Sequence, residues 1–180
     1  MTELLHAKTC VPAGHWPVDR QMATVTLSYA DRCRRRIRLV DDAGKPFLLD
    51  LEKPMRLADG DGLALTDGHF VRVIAAPEKL LEARGRDAAH LARLAWHVGN
   101  RHTAAEIVDQ TTLRLVNDAV LRDMLMGLGA TLTLVEAPFH PEGGAYGGHV
   151  ATGHGHHHGH AADGHDHDHA HAHGHGHHHH

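Results

Sequence analysis

The 180-residue sequence predicts an α+β fold in three parts: a small all-β domain, an α+β domain, and a tail without a core of its own. Three observations lead there. Residues 1–76 carry strand periodicity and turn residues but no helical repeat. After Pro77, apolar residues begin to recur at helical spacing between strand-like runs. In residues 154–180, 15 of 27 positions are histidine and the rest are Gly, Ala or Asp. With no Leu, Ile, Val or aromatic side chain, that stretch cannot bury enough apolar surface to offset the entropy of ordering it. The expected division is residues 1–76, 77–140 and 141–180, with the last part disordered. Folding units of roughly 70 residues are marginal alone, so the first two are expected to lean on each other or on a second subunit.

The elements follow in order. Val25, Leu27 and Tyr29 alternate with Thr24, Thr26 and Ser28, so residues 23–29 have the period of a half-buried strand. Residues 36–40 make a second strand, closed by the turn Asp41-Asp42-Ala43-Gly44, and residues 46–51 a third. Asp59-Gly60-Asp61-Gly62 is a dense turn signal, after which residues 63–65 and 70–75 form a hairpin around Asp67-Gly68. Residues 78–83 open the second domain as a strand that leaves through Gly85. Asp87 is a helix N-cap, and Leu91, Ala95 and Val98 mark an apolar face until Gly99-Asn100 stops the helix. His90, Arg93 and His97 fall on the opposite, polar side. Residues 104–108 and 112–116 are two strands, and Asn117 or Asp118 caps a second helix whose apolar face includes Val120, Leu121, Met124, Leu125 and Leu128. Gly127 and Gly129 end it, and residues 131–137 form the last strand. Strand, helix, strand, strand, helix, strand is the ferredoxin-like βαββαβ order. From Phe139 to Gly148 the glycine-rich run reads as a flexible hinge into the tail.

Composition excludes several functions. A net charge of −4 with neutral histidines leaves no basic footprint for nucleic acid. The basic run Arg32, Arg34, Arg35, Arg36 and Arg38 reads as a solvated strand edge. No apolar run approaches the roughly 18 residues of a membrane span. Cys10 and Cys33 form no CxxC pair, and the first ten residues lack an apolar leader, so reduced thiols and a cytoplasmic location are expected.

The tail carries the strongest chemical signal. Neutral imidazole is a borderline ligand suited to Ni, Zn and Cu, and Gly and Ala between the histidines leave the backbone free to wrap an ion. Asp163, Asp166 and Asp168 add carboxylate oxygens. At three to four imidazoles per ion the tail has donors for roughly four or five ions. His177 to His180 alone could be a purification tag, but the interleaved Gly-His, Asp-His and Ala-His units before them are not explained that way. A second signal is Trp96-His97-Val98-Gly99-Asn100-Arg101-His102. There His97 lies on the polar side of a helix. His102 lies in the loop after it, where two copies related by a two-fold axis could share one ion.

That stretch resembles the "(Y/W)HxGNRH" signature of the urease accessory nickel chaperones. Three further runs are similar to the same family: Val71-Arg72-Val73-Ile74-Ala75-Ala76-Pro77-Glu78, Leu121-Arg122-Asp123-Met124-Leu125-Met126-Gly127-Leu128-Gly129-Ala130, and Glu136-Ala137-Pro138-Phe139-His140-Pro141-Glu142-Gly143-Gly144-Ala145-Tyr146-Gly147. The resemblance spans most of residues 55–150 with the segments in the same order. It implies a β domain like the peptide-binding domains of chaperones, joined to a ferredoxin-like metal-binding domain that forms a homodimer. It also implies that His102 from each subunit holds a shared Ni(II), with tail histidines such as His149, His154 and His156 completing the sphere; His97, on the polar side of the helix, is a further candidate metal ligand. The partners it implies are the urease accessory GTPase and apo-urease. Where relatives carry extra histidines before the second helix, this chain has Val116-Asn117-Asp118-Ala119.

An enzyme is not expected. His97 and His102 are five residues apart without HExxH, so no general base accompanies them on a helix face, and there is no P-loop. The competing reading is passive storage of Ni, Zn or Cu by the tail, with the folded part as an anchor.

Overall fold

Alternation of apolar and polar residues builds the first sheet in the structure, a computed structural model that describes residues 4–143. The six strands are Leu5–Val11 (β1), Gln21–Leu27 (β2), Arg36–Val40 (β3), Pro46–Asp50 (β4), Gly62–Leu65 (β5) and Phe70–Ala75 (β6). Their order across the sheet is β2-β6-β5-β1-β4-β3, with β1–β4 and β2–β6 parallel and the other pairs antiparallel. Inward residues such as Val25, Leu39, Leu49, Leu63 and Val73 make one core. The two edges of the sheet meet at Asp42, just after β3, whose carboxylate accepts hydrogen bonds from Thr24 and Thr26 of β2. The backbone N–H of Asp42 donates to the Thr24 carbonyl at 2.8 Å, which draws the curled sheet closed.

Several first-domain expectations need correction. β1 carries no expected strand, yet it is central, between β5 and β4. The strand expected at residues 23–29 ends at Leu27, because the Ser28 Oγ accepts the Asp31 N–H at 3.2 Å and caps a one-turn helix, Tyr29–Arg32 (α1). Arg32, expected on a solvated edge, is buried in that turn, while Arg34, Arg35, Arg36 and Arg38 are exposed as expected.

The second sheet comprises Pro77–Arg84 (β7), Ala105–Ile107 (β8), Thr112–Val116 (β9) and Thr131–Pro138 (β10), all antiparallel in the order β10-β7-β9-β8. Two helices, Ala88–Gly99 (α2) and Ala119–Gly127 (α3), supply Leu91, Leu94, Val98, Leu121 and Leu125 to a core shared with Leu81 and Leu115. This is the expected ferredoxin-like βαββαβ arrangement, so the fold class is α+β. The Asp87 Oδ1 accepts the His90 N–H at 2.8 Å and the Asp118 Oδ1 the Leu121 N–H at 2.9 Å, so each helix begins on an aspartate cap. Val120, expected on the apolar face of α3, is 70 % exposed.

Residues 139–142, expected as the start of a flexible hinge, are instead held against the fold. Phe139 and Pro141 are buried, and the chain is held through Glu142. Of the expected disordered tail, residues 141–180, all but residues 141–143 lie outside the described residues. No helix among the described residues is long and apolar enough to cross a membrane.

Candidate metal centre

The C-terminus of α2 sets the position of His102. Asn100 and Arg101 continue the turn with N–H bonds to Trp96 and Val98 carbonyls, each at 3.0 Å. The His102 N–H then donates to Gly99 O at 2.9 Å, and its φ of +53° makes it the one non-glycine residue at positive φ among the described residues. A left-handed residue after a helix reverses the chain and is usually glycine or asparagine. Holding an imidazole there costs on the order of 1 kcal/mol. The side chain is exposed.

His102 lines a cleft of about 380 Å³ with Thr103, Val98 of α2, Ile107 of β8, and Glu142 and Gly143. The point where the chain leaves the described fold therefore borders the same cleft as His102. His97 is one turn back on α2, half-buried, and packs edge-on against the 63 %-exposed Trp96 with ring centroids 4.8 Å apart. Its carbonyl accepts the Arg101 Nη1 donor at 3.0 Å, which stiffens the loop carrying His102. His149, His154 and His156 lie outside the described residues. Among the described residues no three His, Cys, Asp or Glu side chains gather closely enough to hold a metal ion. A sphere around His102 thus needs donors from beyond Gly143 or from another copy of the chain.

His90 was expected on the polar face and is instead buried at 4 % exposure. The Arg86 N–H donates to its Nδ1 at 3.1 Å, so the ring proton sits on Nε2, which donates to the Leu128 carbonyl at 2.9 Å. That imidazole ties the start of α2 to the end of α3. Cys10 is likewise structural: its Sγ donates to Asp61 Oδ2 at 3.4 Å, and burial, then the Asp61 charge, push its thiol far up from the ordinary cysteine value. The His90 ring has both nitrogens engaged, and Cys10 is held as a thiol, where the thiolate is the form that binds metal.

Residues that sequence reasoning passed over are Arg32 and Arg56. Arg32 Nη2 donates to Phe139 O and Nη1 to Leu57 O at 3.3 Å. Arg56 Nη1 donates to Pro141 O at 2.6 Å and Glu142 O at 3.3 Å. Their only trace in the sequence is that Phe139, an aromatic residue between two prolines, is unlike the glycine-rich run that follows.

The structure is a two-sheet α+β body with an exposed imidazole on a cleft that the chain also borders at Gly143, ahead of its histidine-rich segment. Residues 1–76 match the N-terminal domain of the UreE urease accessory protein, and residues 78–180 its C-terminal domain. The chain belongs to the UreE urease accessory protein family. It is 52 % identical over 136 residues to a urease accessory protein UreE of Chelativorans sp. (strain BNC1), covering 76 % of this chain and 85 % of the relative. A second relative of that name, from Rhodopseudomonas palustris (strain HaA2), is 51 % identical over 132 residues, covering 73 % of this chain and 60 % of that longer protein. A third, from Ruegeria pomeroyi, is 49 % identical over 143 residues, covering 78 % and 91 %.

Proposed function

We propose that the chain is a cytoplasmic, homodimeric nickel metallochaperone that captures Ni(II) and delivers it to the urease maturation complex. The observation that carries this reading is the shared cleft: His102 and the exit point at Gly143 border the same depression. His149 follows Gly143 by six residues, and six residues reach at most about 20 Å. We assign His149, His154 and His156 as the further ligands of His102, with His97 one helical turn away on α2. Two copies of His102 across a two-fold axis and one or two of these histidines give a sphere of three or four imidazoles, a set suited to Ni(II) and also to Zn(II) and Cu(II). Many donors on the tail raise the effective ligand concentration for capture. Release to the urease accessory GTPase and apo-urease follows by ligand exchange, which an open, exposed site permits.

Passive storage by the polyhistidine segment is the competing reading, favoured by the absence of a complete donor set among the described residues of one chain. Calorimetric Ni(II) titration of the full chain and of His102→Ala separates the two. The carrier reading expects one tight site per dimer, lost in His102→Ala, above a set of weaker sites that both proteins retain. Identical isotherms would leave storage as the better account.

A further inference from the structure

The backbone passes from the first domain to the second once, at Ala76 between β6 and β7. Two bodies joined this way rotate against each other by default, unless their interface is large and apolar. Here several of the contacts are polar and directional. From the first domain, the Tyr29 N–H of α1 donates to Glu78 Oε1 of β7 at 2.6 Å. Arg56 Nη1 donates to Pro141 O at 2.6 Å and Glu142 O at 3.3 Å. Residues 139–142 belong to the second domain: the His140 N–H donates to Glu106 Oε2 of β8 at 3.0 Å, and the Glu142 N–H to Ala105 O at 2.8 Å. Phe139, without exposed surface, meets the Tyr29 ring edge-on with centroids 5.1 Å apart.

Arg32 spans this joint. Its Nη1 donates to Leu57 O of its own domain at 3.3 Å and its Nη2 to Phe139 O of the other, and its guanidinium lies 5.7 Å from the Tyr29 ring centroid. The residue is 2 % exposed, its Nε has no hydrogen-bond partner among the described residues, and both acceptors are carbonyls instead of carboxylates. Burial lowers its pKa from the ordinary arginine value, opposed first by the Glu78 charge. An arginine buried on these terms adds little stability over an apolar side chain of the same size, because its desolvation offsets what its hydrogen bonds return. What an apolar side chain lacks is direction. A carbonyl accepts best near its own plane, so a donor anchored on Leu57 and aimed at Phe139 O favours one angle between the domains.

We propose that Arg32 and Arg56 form an interdomain latch, which fixes the orientation of the second domain against the first and contributes orientation more than stability. Arg32 holds the start of the 139–142 segment and Arg56 its end. With the latch closed, the first domain and the cleft bordered by His102 form one rigid body. With it open, the β6–β7 connection at Ala76 is the pivot. The latch stands whether or not nickel binds at His102.

The test uses the full chain with Cys10→Ser and Cys33→Ser, and spin labels on Lys45→Cys in the first domain and Arg93→Cys in the second, both exposed positions. Pulsed electron resonance reads the distance between the labels, with labelled chain diluted in unlabelled so that only pairs within one chain count. The starting protein is expected to give one narrow distribution. In Arg32→Met the distribution is expected to broaden about twofold or more, as the domains turn about their single connection. The thermal midpoint of that variant is expected to stay within about 5 °C of the starting protein's. An equally narrow distribution in Arg32→Met overturns the proposal, and so does a broad one in the starting protein. Should Arg32→Met fail to fold, Arg56→Met carries the test, since Arg56 is only half-buried. A width unchanged from the starting protein then sinks the latch.

Discussion

A single backbone angle separates His102 from the other histidines of the described fold. At φ +53° the residue sits where glycine is preferred, and imidazole is retained there at a conformational cost. His102→Gly is therefore expected to be more stable than His102→Ala by about 1 kcal/mol, while both lose the tight nickel site. Urea denaturation of the two variants checks the first half, and an equal midpoint would remove the strain argument. His90 teaches the opposite lesson. A helical wheel places it on the polar side, and the wheel is blind to what covers the first turn of a helix. In the structure the end of α3 covers it, and a ring with both nitrogens satisfied is acceptable inside. His90→Ala leaves the Leu128 carbonyl and Arg86 N–H unpaired and opens a void. It should destabilise by about 2–4 kcal/mol, with the number of nickel ions bound unchanged. A loss of the tight site with intact stability would show that His90 reports on metal after all.

At the scale of elements, the sequence speaks clearly where a period runs unbroken. β3, β6, β9 and the two capped helices of the second domain are legible because alternation or helical spacing persists between turn residues. β1 is not legible for a stated reason: its pairing with β5 shifts register between Ala7 and Thr9. A bulge changes which side chains face inward, so Ala7 and Cys10 cannot belong to one alternation. α1 escapes because four residues are too few for a helical period to show. Tight approaches are equally silent. A Cβ at Gly62 of β5 would lie 2.6 Å from the Trp16 ring, which stacks on Phe70 with centroids 5.4 Å apart. Gly62→Ala must displace that ring and should cost about 1–3 kcal/mol, visible as a lower thermal midpoint and altered tryptophan fluorescence. Asp42 closes the first sheet, and hydrogen bonds led by that from the Thr24 hydroxyl hold its carboxyl below the ordinary aspartate value. A depressed carboxyl contributes stability that is present above about pH 4 and lost as pH falls through the lower folded value. Asp42→Asn should therefore flatten the acid limb of the stability curve, and an unchanged limb would assign acid sensitivity to other groups.

For the whole molecule, the histidine-rich segment was legible from composition alone, and the position of His102 after α2 from its glycine-asparagine stop. The cleft was not legible, because residues 139–142 are held by hydrogen bonds from partners far away in sequence, Arg32, Arg56 and Ala105, whose surroundings look like a solvated basic edge, a plain loop and a short strand. Assembled this way, every donor proposed for the tight site is an imidazole, and that has a consequence in solution. Imidazole binds metal only when neutral, so protons compete with Ni(II) at each ligand. A free imidazole titrates near 6.5 and is about nine-tenths protonated at pH 5.5. Four imidazole ligands then lose up to about four orders of magnitude in apparent affinity between pH 7.5 and 5.5. A site built from carboxylates would lose far less over the same window, because carboxylates are ionised throughout it. Competition titrations with a nickel indicator at the two pH values measure the slope directly. A fall smaller than tenfold would rule out an all-imidazole sphere and require oxygen ligands, with Asp163, Asp166 and Asp168 of the histidine-rich segment the first to replace.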